Sequence, residues 1–374
     1  GKVIRYQPQL WQAFKSEVLA ANPDALILSG DLSLNGEKAN HLEFAEKLRE
    51  IEEAGVPVYV IPGNHDINKP DAGEYFGDQR TSEEFREIYA DFGYNEAKSE
   101  APDSLSYLVE LNDTTWLMML DTTVCEPENE VYGEIKEETL EWMEECLEEA
   151  YAEGITVIPV GHHNLQRLSR VYVEECVIEN CDEVLELFER YLTPVYFSGH
   201  LHTQKVMKHL TEPGMGSDTY GIWEIVSNSL ILPPCQYGTV TLNTDGSIDY
   251  LAKTVDVSTW AAANGETDPN LLEFSSYAAD YLQTVIKNQI FKTLEDVPKE
   301  LKEVMADFYT DIYKDYYAGV PISYSEKKNE FGYGLWVRYM DPSVEFRQLD
   351  GMMRDSISAN NHAEIPNPIH LKRP

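Results

Sequence analysis

The sequence predicts an α/β fold with a helical C-terminal appendage, and three observations carry that expectation. Up to about residue 200, short apolar, β-branched runs alternate with segments of helical periodicity, the rhythm that favours parallel strand pairing. From residue 205 to 253 the apolar runs follow one another with no long helix between them, which fits an antiparallel second half. Beyond a boundary at 255–268, where Ala, Asn, Gly and Pro accumulate, the spacing turns helical.

In chain order, Leu10, Trp11, Phe14, Val18 and Leu19 mark a helix over 8–22, and Ala25 to Leu28 a buried strand. Asn35 is a candidate cap for a helix running to Gly55, with Leu42, Phe44, Ala45, Leu48 and Ile51 on its apolar side. Residues 56–61 form the next strand. Residues 67–80, with Pro70, Gly73 and Gly77, read as an exposed loop. Thr81 and Glu84 make a capping box for a helix over 82–91. Ser104 to Leu111 and Thr115 to Leu120 form a hairpin about Asn112-Asp113. An acidic helix follows over 133–152, then a strand at 155–160, a helix at 182–192 and a strand at 194–197. Four strands are expected at 205–210, 221–227, 236–242 and 247–253. Two helical patterns follow, Phe274 to Ile286 and Leu301 to Ile312, the second after start signals at Asp296 and Pro298. Residues 341–374 contain four prolines and little periodicity, and read as an extended tail.

With 374 residues, 43% of them apolar, the chain is long enough for a large core and an appendage. Lys and Arg number 29 against 66 Asp and Glu, a net charge of −37. Such a surface repels phosphate backbones and anionic lipid, which argues against polymeric nucleic acid and membrane surfaces as partners. No apolar run approaches the ~20 residues of a transmembrane segment. The five cysteines lack C-x-x-C spacing, which excludes a zinc knuckle; Cys176 and Cys181 are either a pair or free thiols. His41, His209, His362 and His370 have no partner pattern and are expected at the surface.

Four apolar runs end in polar clusters: Ser29-Gly30-Asp31, Gly63-Asn64-His65-Asp66, Gly161-His162-His163 and Ser198-Gly199-His200-Leu201-His202. Ligands at the carboxyl ends of strands are the usual way an α/β sheet builds a site. Imidazole nitrogens with carboxylate and amide oxygens suit zinc, manganese or iron. His200 and His202 are two apart, so in an extended segment both point to one side.

In this order and at these intervals, the four blocks resemble the calcineurin-like metallophosphoesterase family over about residues 1–255. The resemblance implies a two-sheet β-sandwich flanked by helices for a domain at 1–255; the appendage at 256–340 and the tail at 341–374 lie outside it. It implies metal-dependent hydrolysis of phosphate mono- or diesters at a centre of two divalent ions (Mn, Zn or Fe), with a metal-activated water as nucleophile and a small phosphorylated substrate. It makes Asp31 the bridge between the ions; Asn64, His162 and His200 would hold the second ion and His202 help hold the first. His65 would act on the leaving-group oxygen as general acid or transition-state stabiliser, with Asp66 orienting its imidazole. Asp66 reads equally well as a turn cap, His163 as a pocket residue or a structural histidine, and Asn35 as a substrate contact or a helix cap. The family's first block, Asp-x-His, occurs nowhere in the sequence, and the expectation is that it lies upstream of Gly1. A degenerate member that binds a ligand or partner without turnover is the competing reading.

Overall fold

The computed structural model describes residues 2–68, 80–171, 174–209, 221–355 and 358–371. Most of the loop read at 67–80 lies outside the described residues. Twelve strands are described: β1 (Leu26–Leu28), β2 (Val58–Val60), β3 (Ser99–Glu100), β4 (Tyr107–Asn112), β5 (Thr115–Met119), β6 (Thr156–Val160), β7 (Val195–Ser198), β8 (Lys205–Lys208), β9 (Trp223–Val226), β10 (Gln236–Leu242), β11 (Ile248–Thr254) and β12 (His362–Ile365). A seven-stranded sheet runs β3-β4-β5-β6-β7-β9-β8, a three-stranded sheet runs β10-β11-β12, and β1 pairs with β2.

Period-two alternation in the large sheet divides the core. Tyr107, Val109, Leu117 and Met119 face one side, with Leu10, Phe14, Leu48, Val58 and Val60. Leu108, Trp116 and Met118 face the other, with Trp142, Met143 and Leu147 of the helix Glu137–Glu153 and with Phe188 of the helix Cys181–Arg190. The first side is the sandwich interior, whose second layer consists of the β1–β2 pair and the sheet around β11, which contributes Ile248 and Tyr250. The expected two-sheet α/β sandwich flanked by helices is therefore present. Its helical appendage has a separate core, with Met305, Ile312, Tyr316, Trp336, Leu349 and Met352 at its centre.

The capping box forms as read: Thr81 accepts from the Glu84 amide, and Glu84 accepts from the Thr81 amide. Elsewhere the structure departs from the reading. The helix after Asp31 spans Lys38–Glu53 with Glu37 at its cap; Asn35 caps nothing and donates to Glu37 Oε1 at 3.0 Å. The inward face of that helix is His41, Ala45, Leu48 and Ile51, and Leu42 is exposed. The second half is not uniformly antiparallel. β8 takes the sheet edge, β9 returns antiparallel beside it, and β9 thereby runs parallel to β7. The described residues within 341–374 are not an extended tail. A helix, Val344–Asp355, packs Phe346, Leu349, Met352 and Met353 into the appendage core, and β12 joins β11. All five cysteines are free thiols. Among the described residues no helix is long and apolar enough to cross a membrane.

Candidate metal centre

The four polar blocks meet at the carboxyl ends of β1, β2, β6 and β7. Close backbone approach there depends on glycine. Gly30 has φ +90°, and a Cβ on it would lie 2.6 Å from His162 Nδ1. A Cβ on Gly63 would lie 2.3 Å from Asp31 Oδ1 and 2.8 Å from His162 Cε1. Gly63→Ala should therefore push Asp31 and His162 apart and lower bound metal, measured by metal analysis of the purified variant. Metal content equal to that of the wild type would show that the turn can absorb the methyl group.

Asp31, itself in left-handed conformation at φ 54°, presents its two oxygens to two different histidines. Oδ1 lies 3.4 Å from His162 Nε2, and Oδ2 lies 3.9 Å from His202 Nε2. The His65 amide donates to Oδ1 at 3.1 Å. Burial alone would raise the Asp31 pKa, but the His162, His65 and His202 imidazoles and the His65 amide outweigh it, and the carboxyl sits below its ordinary range.

His162 Nε2 has two further donor atoms beside it. Asn64 Oδ1 is 3.2 Å from His162 Nε2 and 3.1 Å from His200 Nδ1, and the two imidazole nitrogens are 3.2 Å apart. His162 Nδ1 lies 2.7 Å from the Ser29 carbonyl, which can only accept, so Nδ1 carries a proton and Nε2 is the nitrogen turned to the donor group. Asn64 Oδ1, His162 Nε2 and His200 Nδ1 thus lie 3.1–3.2 Å from one another, with Asp31 Oδ1 3.4 Å from His162 Nε2. Donors bound to one ion at about 2.0–2.2 Å lie roughly 3.0–3.5 Å apart, so the spacing of Asn64 Oδ1, His162 Nε2 and His200 Nδ1 suits a divalent cation, with Asp31 Oδ1 beside His162. Burial, and then His162, hold the His200 pKa down at about 3. Burial, and then Lys2, hold His202 at about 4. Both rings are neutral at pH 7, the protonation state a metal ligand needs.

His200 and His202 converge, but not as an extended segment would make them. Their φ angles are 63° and 53°, both left-handed, and the chain turns at each instead of running straight. His163 lies against the rings of His162 and His200, and the ligating atoms of the three histidines fall within 4.8 Å of one another. Both of its nitrogens are nonetheless engaged: Nδ1 with Thr122 Oγ1 at 2.7 Å and Nε2 with the Val131 carbonyl at 3.0 Å. Of the two readings of His163, this geometry is that of a structural histidine. Asn35 is not brought into the donor group.

The pairing of Asp66 with His65 is corrected. Asp66 is fully buried and accepts from the amides of Leu32 (3.0 Å), Ser33 (2.8 Å) and Gly63 (2.9 Å), with Ser33 Oγ at 3.0 Å. It ties the Asp31 loop to the Asn64 turn, the cap alternative, and burial raises its pKa. The His65 ring is held instead by the Leu34 carbonyl, 2.6 Å from Nδ1.

Three supporting residues escaped the sequence reading. His41, expected at the surface, is buried beneath this turn, with Nε2 3.0 Å from the Asp66 carbonyl and Nδ1 2.9 Å from Tyr89 Oη. Asn129 donates to the carbonyls of Asn64 and Ile67, each at 2.9 Å. Glu224, in the middle of β9 and buried, accepts from the amides of Leu165 and Gln166 and from Ser198 Oγ. Burial pushes its pKa up to about 7. The remaining histidines differ among themselves. His362 is exposed as expected; His209 is half-buried, with Nε2 3.5 Å from Glu189; the side chain of His370 lies outside the description.

Comparison with known proteins adds the following. The family description "calcineurin-like phosphoesterase" matches residues 5–204. The "C-terminal domain of cyclic nucleotide phosphodiesterase" matches residues 256–358. A protein of Xenorhabdus bovienii, described as a probable cyclic nucleotide phosphodiesterase, is 26% identical over 186 residues, which are 50% of this chain and 64% of that protein. The chain thus spans somewhat less than two thirds of the length of this curated relative. Among solved structures, a dimetal phosphatase from Danio rerio superposes with a TM-score of 0.49 at 13% identity, over 68% of this chain and 88% of its own. A purple acid phosphatase from yellow lupin (Lupinus luteus) seeds gives a TM-score of 0.46 at 15% identity, over 66% of this chain and 46% of its own.

Proposed function

The chain belongs to the calcineurin-like phosphoesterase family, and from that premise we propose that it hydrolyses small phosphate esters at a centre of two divalent ions. A phosphodiester of the cyclic nucleotide kind is the favoured substrate. Support for the substrate class comes from the appendage, which matches the C-terminal domain of cyclic nucleotide phosphodiesterases, and from the Xenorhabdus relative. The net charge of −37 favours a small substrate over a polymeric nucleic acid. The observation that carries the dinuclear reading is the division of Asp31, one oxygen toward His162 and the other toward His202.

On this reading Asp31, Asn64, His162 and His200 would hold one ion, and Asp31 with His202 would contribute to the other; manganese, zinc and iron all suit such donors. Ions held there supply Lewis acidity toward phosphoryl oxygens and lower the pKa of water. The chain's own part is geometric. The Ser29 carbonyl fixes the His162 tautomer, and Asp66 fixes the two turns. His65 donates Nδ1–H to the Leu34 carbonyl, which leaves Nε2 as the nitrogen that would carry a proton toward a leaving-group oxygen. Residues up to about 255 do the chemistry, and the appendage supports them.

Turnover of cyclic AMP and of bis(p-nitrophenyl) phosphate, with manganese or zinc added and then chelated, tests the proposal. Metal-dependent hydrolysis is expected. A protein that binds metal yet turns over neither substrate would be a non-catalytic member instead. His65→Ala should lower kcat by about 10²–10⁴-fold, the usual worth of a positioned acid, with bound metal unchanged. Loss of metal in that variant would make His65 a ligand and end its role as acid.

A further inference from the structure

Resting on the metal-centre reading, we propose that Glu224 is a positioning residue that sets the separation of the two ligand-bearing loops after β6 and β7. The two strands share a single register pair, Val160 with Phe197, and then diverge into the loops that carry His162 and His200. Beyond that pair the backbone link between them is sparse: Gly161 N to the Phe197 carbonyl and Gly199 N to the His162 carbonyl, each 3.0 Å. Metal ligation at one ion requires His162 Nε2 and His200 Nδ1 to stay about 3 Å apart.

The Glu224 side chain reaches both loops from the neighbouring strand. Its Oε1 accepts from the Leu165 amide at 3.0 Å and from Ser198 Oγ at 2.9 Å, and its Oε2 accepts from the Gln166 amide at 2.8 Å. Ser198 Oγ in turn accepts from Asn164 Nδ2 at 2.9 Å. One carboxylate therefore joins the segment three and four residues after His162 to the residue two before His200. Glu224, Ser198 and Asn164 are all buried, so none of these bonds is exchanged for water at little cost. A purely structural filler at this place would not need two amides from one loop and a hydroxyl from the other. A carboxylate presents an acceptor to all three donors, whereas an amide in its place would present one oxygen and turn a second donor toward the remaining partner.

Glu224→Gln keeps the shape but turns one acceptor into an NH₂ that faces a donor, so at least one of the bonds from the Leu165 and Gln166 amides fails. Ser198→Ala is the milder variant, removing only the hydroxyl that links Glu224 to Asn164. Both are to be made in the full chain, stripped of metal and titrated with Mn²⁺ or Zn²⁺ by calorimetry, with the d–d spectrum of the Co²⁺-loaded protein as a second readout. Glu224→Gln should weaken metal binding about 10–100-fold, the range typical of groups that orient ligands. Ser198→Ala should weaken it less and in the same direction, and both should shift the cobalt bands. If the Gln variant does not fold, the Ser198→Ala titration decides alone. Wild-type affinity and an unshifted cobalt spectrum in these variants, with or without a lower melting temperature, would overturn the positioning role and leave the metal centre standing. A wild-type chain that takes up no ion would overturn the metal centre itself, and this inference with it.

Discussion

Asp31→Asn should silence phosphoester hydrolysis while the protein stays folded. Asparagine is among the few residues that enter the left-handed region at little cost, so the φ of 54° at this position is retained. The amide oxygen can still accept from the His65 amide, as Oδ1 does now at 3.1 Å. What is lost is the second oxygen, the one turned to His202, together with the negative charge. Nothing else among the described residues stands between the two sets of donors in this way. The cost should exceed the roughly 100-fold at the upper end for groups that only orient ligands. Steady-state kinetics on an aryl phosphodiester, metal analysis and circular dichroism give the answer together. A folded variant with two bound ions and turnover within tenfold of the wild type would remove Asp31 from the bridging position.

The four candidate blocks are legible because each is local: three to five residues at a strand end, with glycine where the backbone must turn or come close. Their convergence follows from topology, since β6 and β7 are neighbours in one sheet and β1 and β2 pair in the facing layer. The supporting groups were not legible for the opposite reason. Asp66 adjoins His65 in sequence, but its carboxylate turns inward to three amides of two loops, a choice set by tertiary packing. His41 was misplaced although its own helix held the signal: with Ala45 and Leu48 it falls at i, i+4 and i+7, the buried stripe. Glu224 offered a fainter sign, a charge inside the apolar run Ile222 to Val226. A buried carboxylate in a strand needs partners, and these lie on loops remote in sequence. The helix Val344–Asp355 was masked by the prolines on either side of it, although Phe346, Leu349, Met352 and Met353 keep helical spacing.

Ending the chain after residue 268 should leave a protein that aggregates, or melts at least 10 °C below the full chain. The appendage is bonded to the segment that follows His202. The Gln204 amide donates to the Tyr317 carbonyl at 3.0 Å, Gln204 Nε2 to the Asn360 carbonyl at 2.8 Å, and the Val206 amide to Asn360 Oδ1 at 3.0 Å. Gly319 packs so closely on Gln204 that a Cβ there would lie 2.9 Å from its Cγ. Lys205 donates to the Asp355 carbonyl at 3.0 Å, and Ser169, on the loop after His162, bonds the Tyr316 hydroxyl. Truncation also removes β12 from β11, and Phe274 and Tyr277 from the ring of Tyr6. Each buried donor left without a partner costs about 1–3 kcal/mol. At roughly 2 °C per kcal/mol for a large domain, the Gln204 and Val206 bonds alone account for much of the shift. Loosening this segment also frees His202, two residues before Gln204, so any soluble fraction should bind metal more weakly. A soluble truncated protein with unchanged melting temperature and metal affinity would mean that the appendage folds apart and that the site does not depend on it.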